Sequence, residues 1–196
     1  MKRKALLAIT GCTAKAFETY SARGFLPFGI QDARWSEYTL EDAFLLRLLM
    51  DAASGTDQDS AALLARGALD KMSPITPFSY TGDQEMWAAL IRYDWPNAPE
   101  GWDQRHVVAG RWQDIEAQAK HLTTELAPGA RVLSIQAVSA TKIAHHVFRA
   151  AREFGLPEGE HPHAVPEDLT GYPEWFKEAE MARRRVVFGI SEDRAE

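Results

Sequence analysis

The side chains best suited to recognise another molecule lie within a short stretch, residues 13–23. Its polar face carries small or hydrogen-bonding side chains: Thr13, Lys15, Glu18, Thr19 and Ala22. In a helix these residues lie opposite Phe17 and Tyr20, which are three positions apart and suit a buried face. Hydroxyl, ammonium and carboxylate groups of this size bond to base edges in the major groove of DNA. We therefore expect a nucleic-acid contact on the polar face.

The other reactive residues do not form a catalytic pattern. His145 and His146 are adjacent, so on a helix they point in different directions and cannot form an HExxH zinc site. His161 and His163 lie in the acidic segment "PEGEHPHAVPED", which would hold a divalent metal only by folding around it. The single cysteine, Cys12, excludes a multi-cysteine metal site within one chain. Because the sequence also lacks a glycine-rich phosphate loop and a GxSxG motif, we expect no enzyme, cofactor or metal.

Charge is distributed unevenly along the chain. The formal net charge is -6, yet the first 54 residues carry seven basic and six acidic side chains, so the remainder holds the acidic excess. This fits a DNA-contacting N-terminal region on an acidic body, and ordinary solvated charge explains it about as well. No apolar run approaches the roughly 20 residues that span a membrane. We expect a globular, cytoplasmic protein without membrane contact.

Local signals place the polar face within a helix-turn-helix. An apolar helix is predicted at residues 5–9, and it stops at Gly11. Thr13 is a suitable N-cap for a second helix that runs to about Arg23. Gly24 then supplies the left-handed conformation that commonly follows a helix end.

A small hairpin is predicted after the second helix, at residues 28–38. Gly29 and Asp32 oppose a helix here, whereas apolar residues near both ends of the segment suit two short strands. We interpret the segment as a wing. Arg34 and Trp35 lie in it and are candidate DNA contacts.

Two longer helices are predicted beyond the wing. Thr39 and Asp42 form a capping box for a helix at residues 40–53, which is apolar on most sides and suits burial beneath the first two helices. A fourth helix is predicted at residues 57–72. Two prolines and a turn signal follow it, so we place a domain boundary near Ser73.

The segments "TGCTAKAFETYSARGFLPF" and "RWSEYTLEDAFLLRLL" together resemble the N-terminal DNA-binding module of MerR-type transcriptional regulators. The shared features are a Gly-x-Thr turn, an aromatic residue near the end of the second helix, "GFLP" after it, and a Tyr-Thr pair before the third helix. The resemblance covers about a quarter of the chain. It implies a winged helix-turn-helix that binds double-stranded DNA as a homodimer.

The resemblance also implies roles for individual residues. Tyr20 and Arg23 would approach phosphates, as would Arg34 in the wing, and Lys15 would lie near base edges. The family's cysteine ligands for soft metals have no counterpart in this chain, so metal sensing is not expected.

Three positions depart from the family pattern. The family often has arginine where this chain has Glu18, an aromatic residue at Thr19, and a further wing arginine at Ser36. A carboxylate near phosphates lowers affinity, but Glu18 can instead accept a hydrogen bond from a cytosine amino group. Glu18 therefore raises a question of specificity.

The remaining chain, residues 73–196, has the pattern of a mixed α/β domain, and the whole chain is predicted to be mainly α with small β elements. Helices are predicted at 83–93, 113–126 and 139–154, strands at 105–110 and 131–138, and a loop at 96–101. The last helix has an apolar face that we expect to pack on the strands: Ile143, Val147, Ala151 and Phe154.

Aromatic residues are unusually frequent in this second region: Trp87, Tyr93, Trp95, Trp102, Trp112 and Trp175. Core packing is the simpler explanation for them. The alternative is a hydrophobic pocket for a small-molecule effector, and a protein effector is also possible at this domain.

The sequence thus predicts two domains, residues 1–72 for DNA binding and 73–196 for dimerisation or effector binding, in a sequence-specific transcriptional regulator. No long heptad helix joins protomers, so the dimer surface is expected in the second domain. Two alternatives stay open. One is a phage-type excision or architectural factor that bends DNA. The other is a protein-interaction module, such as an antirepressor or packaging factor, that uses the winged fold without DNA.

Overall fold

Six α-helices and a three-stranded antiparallel sheet make up the described part of the chain, which has a mixed α/β fold. The computed structural model describes residues 1–29, 37–72 and 85–156. The helices are α1 (Arg3–Thr10), α2 (Ala14–Ala22), α3 (Leu40–Ala53), α4 (Gln58–Met72), α5 (Trp112–His121), which a π-helical turn (Leu122–Leu126) extends, and α6 (Ala140–Glu153). The strands are β1 (Trp87–Asp94), β2 (Arg105–Gly110) and β3 (Arg131–Ser139).

The four N-terminal helices agree with the sequence-based expectations. Thr39 caps α3. The Thr39 hydroxyl accepts a hydrogen bond from the Asp42 backbone N–H at 3.0 Å, and the Thr39 backbone N–H donates to the Asp42 carboxylate at 2.8 Å. This is the predicted capping box, and it satisfies two backbone donors at the helix start. Seven of the fourteen residues of α3 are buried, as expected for a helix beneath α1 and α2.

Strand β1 lies in the centre of the sheet, which has the order β2–β1–β3. Four consecutive residues, 88–91, are buried, because helices cover both faces of the strand. A continuous apolar run lacks the alternation that marks a half-exposed strand, so its periodicity also suits a buried helix. The helix predicted at residues 83–93 is therefore wrong, since residues 87–93 belong to β1.

Alternate residues of β1 enter two different cores. Ala88 and Leu90 pack with residues of α3, α4 and α6, whereas Ala89 and Ile91 pack with residues of α5 on the opposite face. The pleat of a strand sends successive side chains to opposite faces. The sheet therefore separates α5 from the helices of the larger core.

Helix α6 packs mainly against α3 and α1, with fewer contacts to β1. Of its predicted apolar face, Ile143, Val147 and Ala151 are buried, but Phe154 is 58% exposed. The expectation that this face packs on the strands holds in part, because Ile143 and Val147 share a core with Ala88 and Leu90 of β1 as well as with α3.

The larger core contains residues from both predicted domains, for example Leu48 of α3, Leu90 of β1 and Ile143 of α6. The predicted boundary near Ser73 lies at the start of residues 73–84, outside the described residues. The division at this point stays a prediction.

Candidate nucleic-acid interface

The turn between α1 and α2 is held from beneath by α3. Gly11 ends α1 with a φ of 69°, a left-handed conformation that glycine adopts without strain. The Arg47 guanidinium of α3 donates to the Thr10 carbonyl at 3.1 Å and pairs with Asp51 one turn further along α3 at 3.0 Å. Arg47 thus satisfies a carbonyl at the end of α1 and ties the turn to the core.

Helix α2 begins as the sequence predicts. The Thr13 hydroxyl accepts a hydrogen bond from the Ala16 backbone N–H at 3.1 Å, as an N-cap residue does. Phe17, on the inner face of α2, is only 3% exposed, and it meets the Tyr38 ring edge-on with a centroid separation of 6.2 Å. This packing fixes the rotation of α2 about its axis and turns its polar face outward.

Most of the predicted contact residues of α2 lie on that outward face, whereas Tyr20 packs against the core at its edge. Four are exposed, namely Thr13, Lys15, Glu18 and Arg23, and Thr19 and Tyr20 are half-buried. The Thr19 hydroxyl donates to the Lys15 carbonyl at 2.9 Å. The structure therefore brings six of the eight predicted site residues onto one helix.

Glu18 is neutralised within the chain. Its carboxylate pairs with the Arg3 guanidinium at 3.1 Å, and the same guanidinium lies 4.8 Å from the centroid of the Phe17 ring. Sequence analysis did not single out Arg3, because the pair joins the first turn of α1 to the middle of α2. A partner that attracts Arg3 must compete with Glu18.

The C-terminal end of α2 contacts α4. Gly24 has a φ of 67° and follows the helix end as predicted. The Arg23 guanidinium donates to the Gln58 side-chain carbonyl at 3.3 Å, and the Arg66 guanidinium of α4 donates to the Gly24 carbonyl. Sequence analysis missed Gln58 and Arg66 because both contacts join residues far apart in the chain.

A shallow hollow of about 290 Å³ lies where α2 meets the start of α4, and it is lined by Thr13, Lys15, Ala16, Thr19, Tyr20 and Gln58. Burial raises the pKa of the Tyr20 phenol further above neutral pH, and its protonated hydroxyl can donate a hydrogen bond. The hollow thus combines the Lys15 ammonium group with three hydroxyl groups. These groups suit contacts to phosphate oxygens and base edges.

The predicted wing falls largely on residues 30–36, and Arg34 and Trp35 therefore lie outside the described residues. The residues that flank this segment are close together. The Phe28 and Tyr38 rings meet edge-on with a centroid separation of 5.8 Å, and the Tyr38 backbone N–H donates to the Met1 carbonyl at 2.8 Å. Phe28 and Tyr38 thus lie next to each other, and Tyr38 lies beside the N-terminus.

Other kinds of site find less support in the described ranges. No group of three or more His, Cys, Asp or Glu side chains is placed there to hold a metal ion, and His161 and His163 lie outside those ranges. No described helix is long and apolar enough to cross a membrane. No family model matches the chain, and no curated protein matches it either.

Proposed function

We propose that this chain is a sequence-specific DNA-binding transcriptional regulator in which α2 enters the major groove. The observation that carries the proposal is the outward face of α2, where short polar side chains and Lys15 follow a turn that Arg47 holds to α3. Recognition helices of helix-turn-helix proteins present base-contacting residues from their N-terminal part after such a turn. The MerR-type resemblance of the same residues supports the winged form of this module.

The charges near α2 support binding to the DNA backbone. Lys4 and Lys15 are exposed, and neither has an ion-pair partner among the described residues. Arg23 is bonded only to a neutral amide in the described ranges, so its charge stays available to a phosphate. Each such contact releases condensed counterions, which supplies much of the affinity.

The proposed active form is a homodimer that places two copies of α2 in successive major grooves, with residues 28–38 of each copy on the flanking backbone. Dimerisation is part of the proposal because the family that the sequence resembles binds as a dimer. A two-fold symmetric protein requires a site with matching symmetry. The operator should therefore be palindromic.

The test is selection of genomic fragments by the purified chain at moderate salt, followed by a salt titration on the best fragment. We expect a discrete palindromic site whose affinity falls steeply with salt, with an exponent of about 0.9 for each phosphate contact. Lys15→Ala and Arg23→Ala should weaken this binding. Lys120→Ala is the matched control, because Lys120 is exposed on α5, across the sheet from the helices of the larger core.

Failure of the chain to retain any DNA at low salt would overturn the proposal. The second candidate in that case is a protein-interaction module, for which a basic partner group would replace Arg3 as the ion-pair partner of the exposed Glu18 carboxylate. Retention of DNA with a bend but without control of transcription would instead support an architectural factor.

A further inference from the structure

A cavity of about 370 Å³ lies between the loop that joins α3 to α4 and strands β1 and β3. Its lining includes Thr56, Leu90, Arg92, Ser134, Ile135 and Gln136. The volume lies within the range of small-ligand sites. Unlike most such sites, this one is lined largely by polar side chains.

Several hydrogen-bond donors at this cavity have no partner among the described residues. The Arg92 guanidinium donates to Thr56, Asp57 and Ser60, and all three contacts come from Nη2. Its Nη1 and Nε atoms have no hydrogen-bond partner in the described ranges, and neither has the hydroxyl of Ser134, an exposed residue. A ligand with acceptor oxygens can therefore bind here without displacing an existing bond.

The Gln136 side chain is held in one orientation. Its Nε2 donates to the Ala52 carbonyl at 2.8 Å, while its Oε1 has no partner among the described residues. A Cβ on Gly55 would come within 2.8 Å of that Nε2. Any larger residue at position 55 would therefore displace the Gln136 amide. The free oxygen can accept a hydrogen bond from a ligand hydroxyl.

We propose that this cavity binds a small hydroxycarboxylate, with the carboxylate against Arg92 and the hydroxyl between Ser134 and Gln136. A guanidinium is the side chain best suited to a planar carboxylate. Leu90 and Ile135 also line the cavity, but Leu90 is only 1% exposed, so the apolar contact with a ligand is small. One charged anchor, two polar groups and a small apolar wall together define this ligand class.

A short series of contacts links the cavity to α2. Arg92 pairs with Asp57, which precedes α4, and the next residue is Gln58, the partner of Arg23. A carboxylate bound at Nη1 and Nε shares the Arg92 charge with Asp57 and so loosens the restraint on the start of α4, while the Nη2 bonds stay in place. The effect of this loosening on DNA binding rests on the function proposed above, whereas the ligand site does not.

The ligand site is tested by titrating the ¹⁵N-labelled full chain with 2-hydroxyisovalerate and following its NMR spectrum. We expect saturable shifts at Gly55, Arg92 and Gln136. The neutral 2-hydroxyisovaleramide should bind about tenfold more weakly, the equivalent of one charge-assisted hydrogen bond. Absence of saturable shifts, or equal affinity for acid and amide, would overturn the proposal.

Two variants locate the binding. Ser134→Leu fills the cavity from an exposed position and should abolish the shifts, whereas Thr124→Leu, at an exposed position in the π-helical turn, should not change them. Unaltered binding to the Ser134→Leu variant would place the acid elsewhere and reject this site.

The same spectra test the route to α2 without any DNA. Shifts at Gln58 and Arg23 that follow the same saturation curve are expected, and their absence would reject the coupling. A chain that retains no DNA would still show the titration, so failure of the proposed function is distinguishable from failure of the ligand site.

Discussion

At the scale of single residues, the outward face of α2 depends on side chains that bond to the backbone. Thr13 starts the helix and Arg47 closes the one before it. Both hydrogen bonds lie within the chain, and they set the positions of Lys15 and Arg23. Arg47 thus has a positioning role, and Thr13 both positions α2 and lies among the candidate contact residues.

Thr13→Ala should lower the free energy of unfolding by about 1 kcal/mol, because the Ala16 N–H loses its acceptor at the helix start. Urea denaturation followed by circular dichroism measures this change. Thr13→Ser keeps the hydroxyl and should retain most of the stability. A Thr13→Ala variant as stable as the parent chain would show that the cap contributes nothing.

Glu18→Gln should increase affinity for DNA, because it removes a carboxylate from the contact face and releases Arg3 from its ion pair. One additional phosphate contact would raise the salt exponent by about 0.9. Fluorescence anisotropy on the selected operator at several salt concentrations measures both quantities. Glu153→Gln, an exposed substitution at the end of α6, is the control. Weaker binding by Glu18→Gln would instead indicate that Glu18 reads a base.

At the scale of elements, the start of α4 is fastened to the sheet by a group of charged residues. Arg92 of β1 pairs with Asp57, and Arg105 of β2 pairs with Asp59 at 2.6 Å. Both guanidinium groups also donate to the buried Ser60 hydroxyl. This group joins α4, which contacts α2 through Gln58, to the β1–β2 hairpin.

Asp57 should make stability depend on pH in acid. The Ser60 backbone N–H, which donates to its carboxylate at 2.8 Å, lowers the Asp57 pKa to about 2, and Arg92 contributes to the same shift. Because the folded pKa is depressed, the stabilisation is present above the ordinary pKa near 4 and is lost as the pH falls towards 2.

Asp57→Asn keeps an N-cap side chain but cannot ionise. The free energy of unfolding of this variant should therefore change less between about pH 4 and pH 2 than that of the parent chain. Urea titrations at a series of pH values give the comparison. Parallel pH curves for the two proteins would show that Asp57 does not carry the dependence.

At the scale of the whole molecule, α3 connects the two predicted domains, residues 1–72 and 73–196. It packs on α1 on one side and on α4, α6 and β3 on others, and its leucines share a core with Leu90 and Ile143. Removal of residues 73–196 would expose that shared surface to water, and burial of apolar surface is the main stabilising contribution to a fold.

A fragment of residues 1–72 should therefore be less stable than the full chain and unfold with a broader transition. Thermal denaturation followed by circular dichroism compares the two proteins. A fragment that unfolds cooperatively at the temperature of the full chain would establish residues 1–72 as an independent domain at the predicted boundary.

Local signals were sufficient for much of this fold. The capping box at Thr39, the N-cap at Thr13 and the glycine after α2 are interactions within a few residues of the chain, so their patterns are visible in the sequence. The interior of β1 was not predictable in this way, because a run that is apolar on every side satisfies a buried helix and a central strand equally.

The candidate site also combines features that are local in the chain with contacts between distant residues. By itself, the sequence determined the helix that carries Thr13, Lys15, Glu18, Thr19, Tyr20 and Arg23, because helix periodicity and capping are local. Only the tertiary structure decided that Arg3 neutralises Glu18, that Gln58 meets Arg23, and that Arg92 and Gln136 line one cavity. Those contacts join residues more than ten positions apart, and their geometry is set by the packing of helices on the sheet.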